Sequence, residues 1–513
     1  MSEAKKDDSG KKTSPSARKL EFRIPESSAW AGYWKIFAGV GVLGLAAAGY
    51  GYTLDPQRFS FSYLFAFFLF LTLALGGTFF VLVERLTSAH WSVTVRRTAE
   101  FFMGGMPILA ALFLPIMTPS VMGHLFPWIQ HGEEHHASAG LINEAHAQHA
   151  PPPPAPAPQA KPEAHGDGSH GDGHGTGTGM GGGRGHGTGT GAGQAQGASA
   201  DHHGAGTGGG HSTGMGAGAH QGKGRPDPHH LAHSKVLEAK KPYLNKTAFL
   251  VRAVIYFLVW IFLATRLFGF STSQDTSKDP KLTLAAQRFA PGATILFALS
   301  LTFAAFDWLM SLDPAWYSTI FGVTIFAGSV VAIFSTLIIV TMALRDEGLV
   351  KDALKVEHFH DMGKLLFGFM VFWAYVSFSQ FMLIWYAALP EETSFYHLRW
   401  DVGPWKTVSL AIVIMHFVVP FFTILSRNAK RRLPILRTGA MVLLGMHAVE
   451  MYWIVMPNYH GGDVHFHWLD IACFLGVGGT YLAVVFNRMT KHPLIPIGDP
   501  RLSRSLQHEI ENA

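Results

Sequence analysis

The chain has 513 residues, of which 48% are hydrophobic and only 15% charged, with 39 Phe and 13 Trp. Soluble globular domains carry about 25% charged residues, so this composition excludes an ordinary soluble enzyme and indicates a polytopic membrane protein. A net charge of +5 and a pI near 9.1 would suit a nucleic-acid partner, but the positions of the cations argue against one.

Residues 1–30 form a polar tail holding seven Lys and Arg. No short apolar stretch with a small-residue cleavage site precedes the first span, so no cleaved signal peptide is expected. A hydrocarbon core of about 30 Å takes roughly 20 apolar residues to cross. Ten such segments are expected, near 31–53, 59–83, 99–120, 247–270, 289–312, 317–344, 365–388, 405–426, 435–456 and 468–487. Residues 31–120 thus hold spans one to three and 247–487 spans four to ten, with a tail at 488–513. The fold class is all-α. Lys and Arg gather in the tails and in alternate connections, the positive-inside pattern, which puts both termini in the cytoplasm. RNAKRRLPILR (427–437) then reads as a membrane-surface anchor, and no nucleic-acid partner is expected.

Between spans three and four lies a long outer connection, 121–246, holding PPPPAPAP and a His/Gly tract. Seventeen of the 28 histidines fall between His124 and His233. Such a composition buries too little apolar surface to order a backbone, so an unstructured loop is expected. Weak transition-metal binding is the functional alternative, but no ligand spacing defines a site.

Span five ends in FDWLMSLDPAWYSTIFG (306–322), with acids at Asp307 and Asp313. Asp313-Pro314 has the form of an N-cap followed by proline and is expected to start span six. Trp308, Trp316 and Tyr317 suit an interfacial aromatic belt. Asp307 lies six residues earlier, about 9 Å deeper at 1.5 Å per residue. With Ser300 and Ser311 it forms a polar stripe on one helix face.

An acid at a helix centre costs about 2.5–3.5 kcal/mol on insertion scales, so intramembrane ionisable groups are candidates for function. They are Asp307, His416 in span eight, and His447 and Glu450 in span nine, with Gln380 in span seven as an uncharged partner. His447 and Glu450 are three residues apart in GMHAVEMYW, hence on one face and able to share a proton. Desolvation favours the protonated acid, so Asp307 and Glu450 are expected to be candidates for proton relay. Interhelical hydrogen bonding without chemistry is the competing reading for each. The last outer loop, PNYHGGDVHFH, crowds His460, Asp463, His465 and His467.

Two histidines in different spans invite a haem reading, but no second pair accompanies His416 and His447. The single cysteine, Cys473, cannot hold an iron–sulfur cluster or a zinc finger, and no C-x-x-C-H site occurs. No haem, cluster or metal is therefore expected on this chain, and a redox role needs partners or a diffusible cofactor.

FDWLMSLDPAWYSTIFG with FAGSVVAIFSTLIIVTMALR, together with RWDVGPWK, MHFVVPFFTILSR and MYWIVMPNYH, resembles one subunit type of bacterial alternative complex III, a quinol:electron-acceptor oxidoreductase. That type is the ActF-type membrane subunit, also called quinone-binding subunit 2, of the NrfD/PsrC-like (polysulfide reductase membrane subunit) family. The resemblance covers 31–127 and 240–490. It implies ten helices arranged as two four-helix bundles, spans two to five and six to nine, flanked by the first and last. It implies a bacterial inner membrane as location and a quinol, such as menaquinol, as ligand. The partners it implies are a periplasmic iron–sulfur protein, c-type haem subunits, a second related ten-helix subunit and a terminal oxidase. Asp307, His447 and Glu450 then become candidates for the quinol or proton site, with His416 and Gln380 next. A secondary transporter and a structural anchor for redox partners are the competing functions.

Overall fold

The computed structural model describes residues 22–129, 236–401, 403–460 and 464–509, all within one compact unit. Most of the His/Gly-rich connection and Asp463 lie outside the described residues. In chain order the helices are α1 (Tyr33–Leu54), α2 (Pro56–Thr87), α3 (Val93–Met103), α4 (Met106–Leu112) and α5 (Pro119–Leu125). They continue as α6 (Lys246–Ser277), α7 (Pro280–Trp308), α8 (Phe321–Asp346), α9 (Val356–Ala387) and α10 (Pro390–Trp400). After these come α11 (Trp405–Ala411), α12 (Val419–Ile424), α13 (Arg427–Arg431), α14 (Leu433–Val455), α15 (Pro457–His460), α16 (Trp468–Lys491) and α17 (Leu502–Leu506).

Among the described residues there is no strand, and nine helical stretches are long and apolar enough to cross a membrane. The protein is an all-helical, multi-pass membrane protein. Helix α2 is buried on nearly every side and packs against α1, α3, α7, α8 and α16. Phe22 and Leu494 meet at one end of the structure, where the Leu494 N–H donates to the Phe22 carbonyl at 2.7 Å. We call that end the tail face and the opposite one the distal face.

The segment 99–120 departs from the single span expected of it. It is broken at Gly104–Gly105 into α3 and α4, followed by turns at 113–118. Pro107 cannot donate to the carbonyl of Met103 and its ring crowds that turn, so a regular helix cannot run through. Two glycines make the break close-packed. A β-carbon on Gly105 would lie 2.4 Å from the Tyr481 ring, whose hydroxyl donates to the Phe102 carbonyl at 2.8 Å.

Aspartate–proline pairs begin two of the long helices. Asp55 accepts from the Arg58 N–H to cap α2, and Asp279 accepts from the Lys281 N–H to cap α7. Asp313-Pro314 has the same form but a different outcome. Asp313 accepts from the N–H groups of Ala315 and Trp316, closing a turn, and α8 begins only at Phe321.

The first and last membrane helices pack through glycines. A β-carbon on Gly44 would stand 2.3 Å from the Gly476 nitrogen, and one on Gly479 2.5 Å from that of Gly41. Between transmembrane helices, where lipid competes equally for apolar surface, small residues supply association by close backbone approach.

Candidate functional site

Proline also shapes the region around His416. Pro420 has no N–H for the His416 carbonyl, and the helix relaxes into a π-helical segment over Ile412–Val418 between α11 and α12. The Val419 N–H consequently reaches back five residues to Ile414. This widened turn carries the fully buried His416 ring onto the indole of Trp373 from α9, with centroids 4.0 Å apart. Among the described residues, neither His416 ring nitrogen has a hydrogen-bond partner.

Trp373 connects His416 to the pair on α14. Its indole N–H donates to Glu450 Oε1 at 2.6 Å, and Glu450 Oε2 lies 3.1 Å from His447 Nδ1. On the far side of the imidazole, Nε2 is 2.9 Å from the Thr72 hydroxyl of α2. Thr72 has one hydroxyl hydrogen and gives it to the Leu69 carbonyl at 2.7 Å. Its oxygen is thus left to accept, which puts a proton on His447 Nε2. The Nδ1–Oε2 contact then needs one further proton, held by the imidazole if the carboxylate is charged and by the carboxyl if it is not. Either way the pair is neutral overall and holds one transferable proton, which limits the cost of burying it. Gly328 of α8 makes room for the pair. A β-carbon there would lie 3.0 Å from His447 Cε1 and 3.2 Å from Glu450 Oε2.

Glu450 and Trp373 form part of the wall of a cavity of about 510 Å³ between α9, α10, α11, the π-helical segment and α14. The other polar groups on its wall include Gln380, Tyr396 and Ser409, set among Phe, Trp, Ile and Val side chains. Phe378 and Val413 also line it and are exposed on the outside of the helices, so the cavity opens sideways. Gln380 is fixed at both ends, accepting from the Ser318 hydroxyl at 3.0 Å and donating to the Tyr396 oxygen at 3.2 Å. Burial pushes the Tyr396 hydroxyl up to about 12, so it stays protonated. Among the described residues it donates to no acceptor, and its hydrogen is available to a guest. Arg399 holds this wall together. Buried, it donates to the carbonyls of Phe395, Trp453 and Ile454, locking α10 onto the C-terminal end of α14.

The sequence candidates therefore divide. His447, Glu450, His416 and Gln380 gather at or directly behind the cavity. Asp307 is not among the residues lining it. Its carboxylate receives Arg252 Nε and Nη2 at 2.7 and 2.9 Å and the Tyr256 hydroxyl at 2.7 Å, all from α6. The polar stripe faces the same helix, with Ser300 accepting from Trp260 Nε1 at 2.9 Å. Asp307, expected from the sequence beside His447 and Glu450, is instead held by the Arg252 fork, a geometry that suits an ion pair. His467, immediately before α16, caps that helix.

Two groups of residues carry no signal of their role in the sequence. Trp373, Thr72, Gly328 and Tyr396 are indistinguishable there from ordinary apolar-helix residues. At the tail face, Glu84, Arg85, Arg96, Arg97 and Glu100 are all buried, and join Asp275, Asp499 and Arg501 in one network. Arg96 Nη1 lies 3.0 Å from Glu84 and 2.9 Å from Asp499. Among the described residues of this network, four cations face four acids. No family model and no curated protein matches the chain.

Proposed function

We propose that the chain is a membrane subunit of a quinol-oxidising respiratory complex, of the alternative complex III type, and that it presents a quinol and proton site at the cavity beside Glu450. The observation that carries this reading is the cavity itself. It is apolar, opens sideways where a lipid-soluble guest would enter, and ends on a carboxyl whose proton is shared with a buried imidazole. The residues present fit a quinol headgroup. Tyr396 offers a free donor, and Glu450 offers an oxygen that can take a proton. A quinol supplies two electrons and two protons; Glu450 and His447 would take and pass the protons, with Thr72 fixing the imidazole. The electrons would pass to the partners the sequence resemblance implies, an iron–sulfur protein and c-type haem subunits, beside a second ten-helix subunit.

Ten crossings, with both termini on the cytoplasmic side of a bacterial inner membrane, are part of this proposal. Phe22 and Leu494 share one face, which calls for an even number of crossings. The broken pair α3–α4 would supply the tenth. The packing of α2 with α3, α6 and α7, and of α8 with α9 and α14, is in keeping with two bundles flanked by α1 and α16.

The test is binding of a short-chain quinol to the purified full-length protein, followed by tryptophan fluorescence, since Trp373, Trp400 and Trp453 line the cavity. Saturable binding is expected, weakened about fivefold in Tyr396→Phe, the equivalent of one hydrogen bond of about 1 kcal/mol. Glu450→Gln should keep the fold and remove proton release from the assembled complex. Absence of saturable binding, or unchanged proton release in Glu450→Gln, would overturn the reading in favour of a structural anchor.

A further inference from the structure

A second polar feature lies at the tail face, apart from the cavity. Arg488, near the end of α16, crosses Gly104, where a β-carbon would come within 3.0 Å of its Nη1. Its guanidinium then stands 5.4 Å from the ring centroid of Phe268 on α6. The His492 ring meets the same phenyl edge-on at 5.1 Å, and Arg97 lies 6.0 Å from it. Arg23 Nη1 reaches the Lys491 carbonyl at 3.4 Å, closing the cluster from the other side. Arg97 is neutralised by Asp275 and Glu100. Among the described residues, Arg23, Arg488 and Lys491 have no carboxylate partner. Burial, and then the neighbouring cations Arg97, Arg488, Arg23 and Lys491, hold His492 below the usual imidazole range.

Arg488 beside the Phe268 ring, and Arg23 with Lys491 near His492, thus lack a counter-charge among the described residues, at the ends of two membrane-spanning helices. Arg488 and His492 are half-buried, while Arg23 and Lys491 are exposed, so the cluster reaches the surface on one side. We propose that this cluster, where α3, α6 and α16 meet, binds the phosphate of an anionic phospholipid. Arg488 forms the floor of the site and Arg23 with Lys491 its rim. Charge complementarity selects an anion, and the position where α6 and α16 leave the membrane selects one carried by lipid. Basic pockets between helices at this level are suited to acidic headgroups, each cation contributing about 1 kcal/mol.

The test uses purified full-length protein equilibrated in mixed micelles of equal phosphatidylglycerol and phosphatidylcholine, with retained lipid counted by mass spectrometry. The native chain is expected to retain phosphatidylglycerol preferentially, and added inorganic phosphate should not displace it. Arg488→Gln should lower the retained ratio about fivefold, as loss of one such cation predicts. Should that variant fold poorly, the exposed pair Arg23→Gln with Lys491→Gln should lower the ratio by at least as much. Arg266→Gln, an exposed cation elsewhere on α6, should leave it unchanged. An unaltered ratio in the Arg23/Lys491 variant, or displacement by inorganic phosphate, would overturn the proposal.

Discussion

Arg252 on α6 donates from Nε and Nη2 to the two carboxylate oxygens of Asp307 on α7, at 2.7 and 2.9 Å. Asp307 is fully buried, whereas the Arg252 side chain keeps 19% of its exposure. Breaking a buried pair by removing one charge costs about 3–5 kcal/mol, because the other is left uncompensated. Asp307→Asn should fall at the low end of that range, since Arg252 retains some water. The thermal midpoint should drop, with quinol affinity unchanged in the fraction still folded. Adding Arg252→Gln should recover part of the loss. A variant of normal stability with lost ligand binding would return Asp307 to the candidate site.

The Glu450–His447 pair depends on a neighbour with no side chain. Gly328→Ala would add a carbon 3.0 Å from the imidazole and 3.2 Å from the carboxyl, closer than ordinary contact. Overpacking of this kind costs about 1–3 kcal/mol. Proton release should fall with the fold retained. Thr72→Val removes the acceptor for His447 Nε2 without adding bulk, and should impair the same readout by freeing the ring. If both variants release protons normally, the pair is not on the proton path.

Much of this arrangement is legible in the sequence, and the limits are physical. Helix type and the main apolar spans follow from composition, because a bilayer imposes length and hydrophobicity on every crossing. The i, i+3 spacing by itself puts His447 and Glu450 on one face. Depth alone groups Asp307 with them. Depth cannot say what stands opposite, which for Asp307 is Arg252, 55 residues away. Trp373 is hidden for a related reason: in an aromatic-rich helix, one indole N–H among many acquires meaning only through its acceptor. The break in α3–α4 is indicated by Gly104–Gly105 and Pro107, but the apolar run on either side masks it. The tail-face arginines sit just before that run and read as loop charges, although the fold buries them.

The glycine contact between α1 and α16 gives a prediction about assembly of the fold. At Gly44 a β-carbon would meet the Gly476 backbone at 2.3 Å, and no rotamer change can relieve contact with backbone. Gly44→Val should therefore separate the two helices, whereas Gly49→Val on the same helix, with nothing within 4 Å, should be tolerated. Crosslinking between cysteines introduced at exposed positions on α1 and α16 would show the difference. Equal crosslinking in both variants would mean that the glycines are not what sets the contact.

Asp499 makes the tail-face network sensitive to acid. Burial alone would raise its pKa, but Arg96 and then Arg501 outweigh that and hold it well below the usual carboxylate range. A depressed value means that the folded state favours the charged acid. Its contribution to stability is complete above the ordinary aspartate value of about 3.9 and is lost as pH falls below it. Limited proteolysis of the C-terminal segment should accordingly show protection at neutral pH that declines below about pH 4. Asp499→Asn leaves the Arg96 and Arg501 contacts without their charge. It should expose the segment at neutral pH and flatten the acid dependence, the two proteins converging at low pH. The His508–Asp361 contact, at 2.8 Å, anchors the same segment and stays intact in that variant. An acid dependence that persists in Asp499→Asn would therefore overturn the assignment to Asp499.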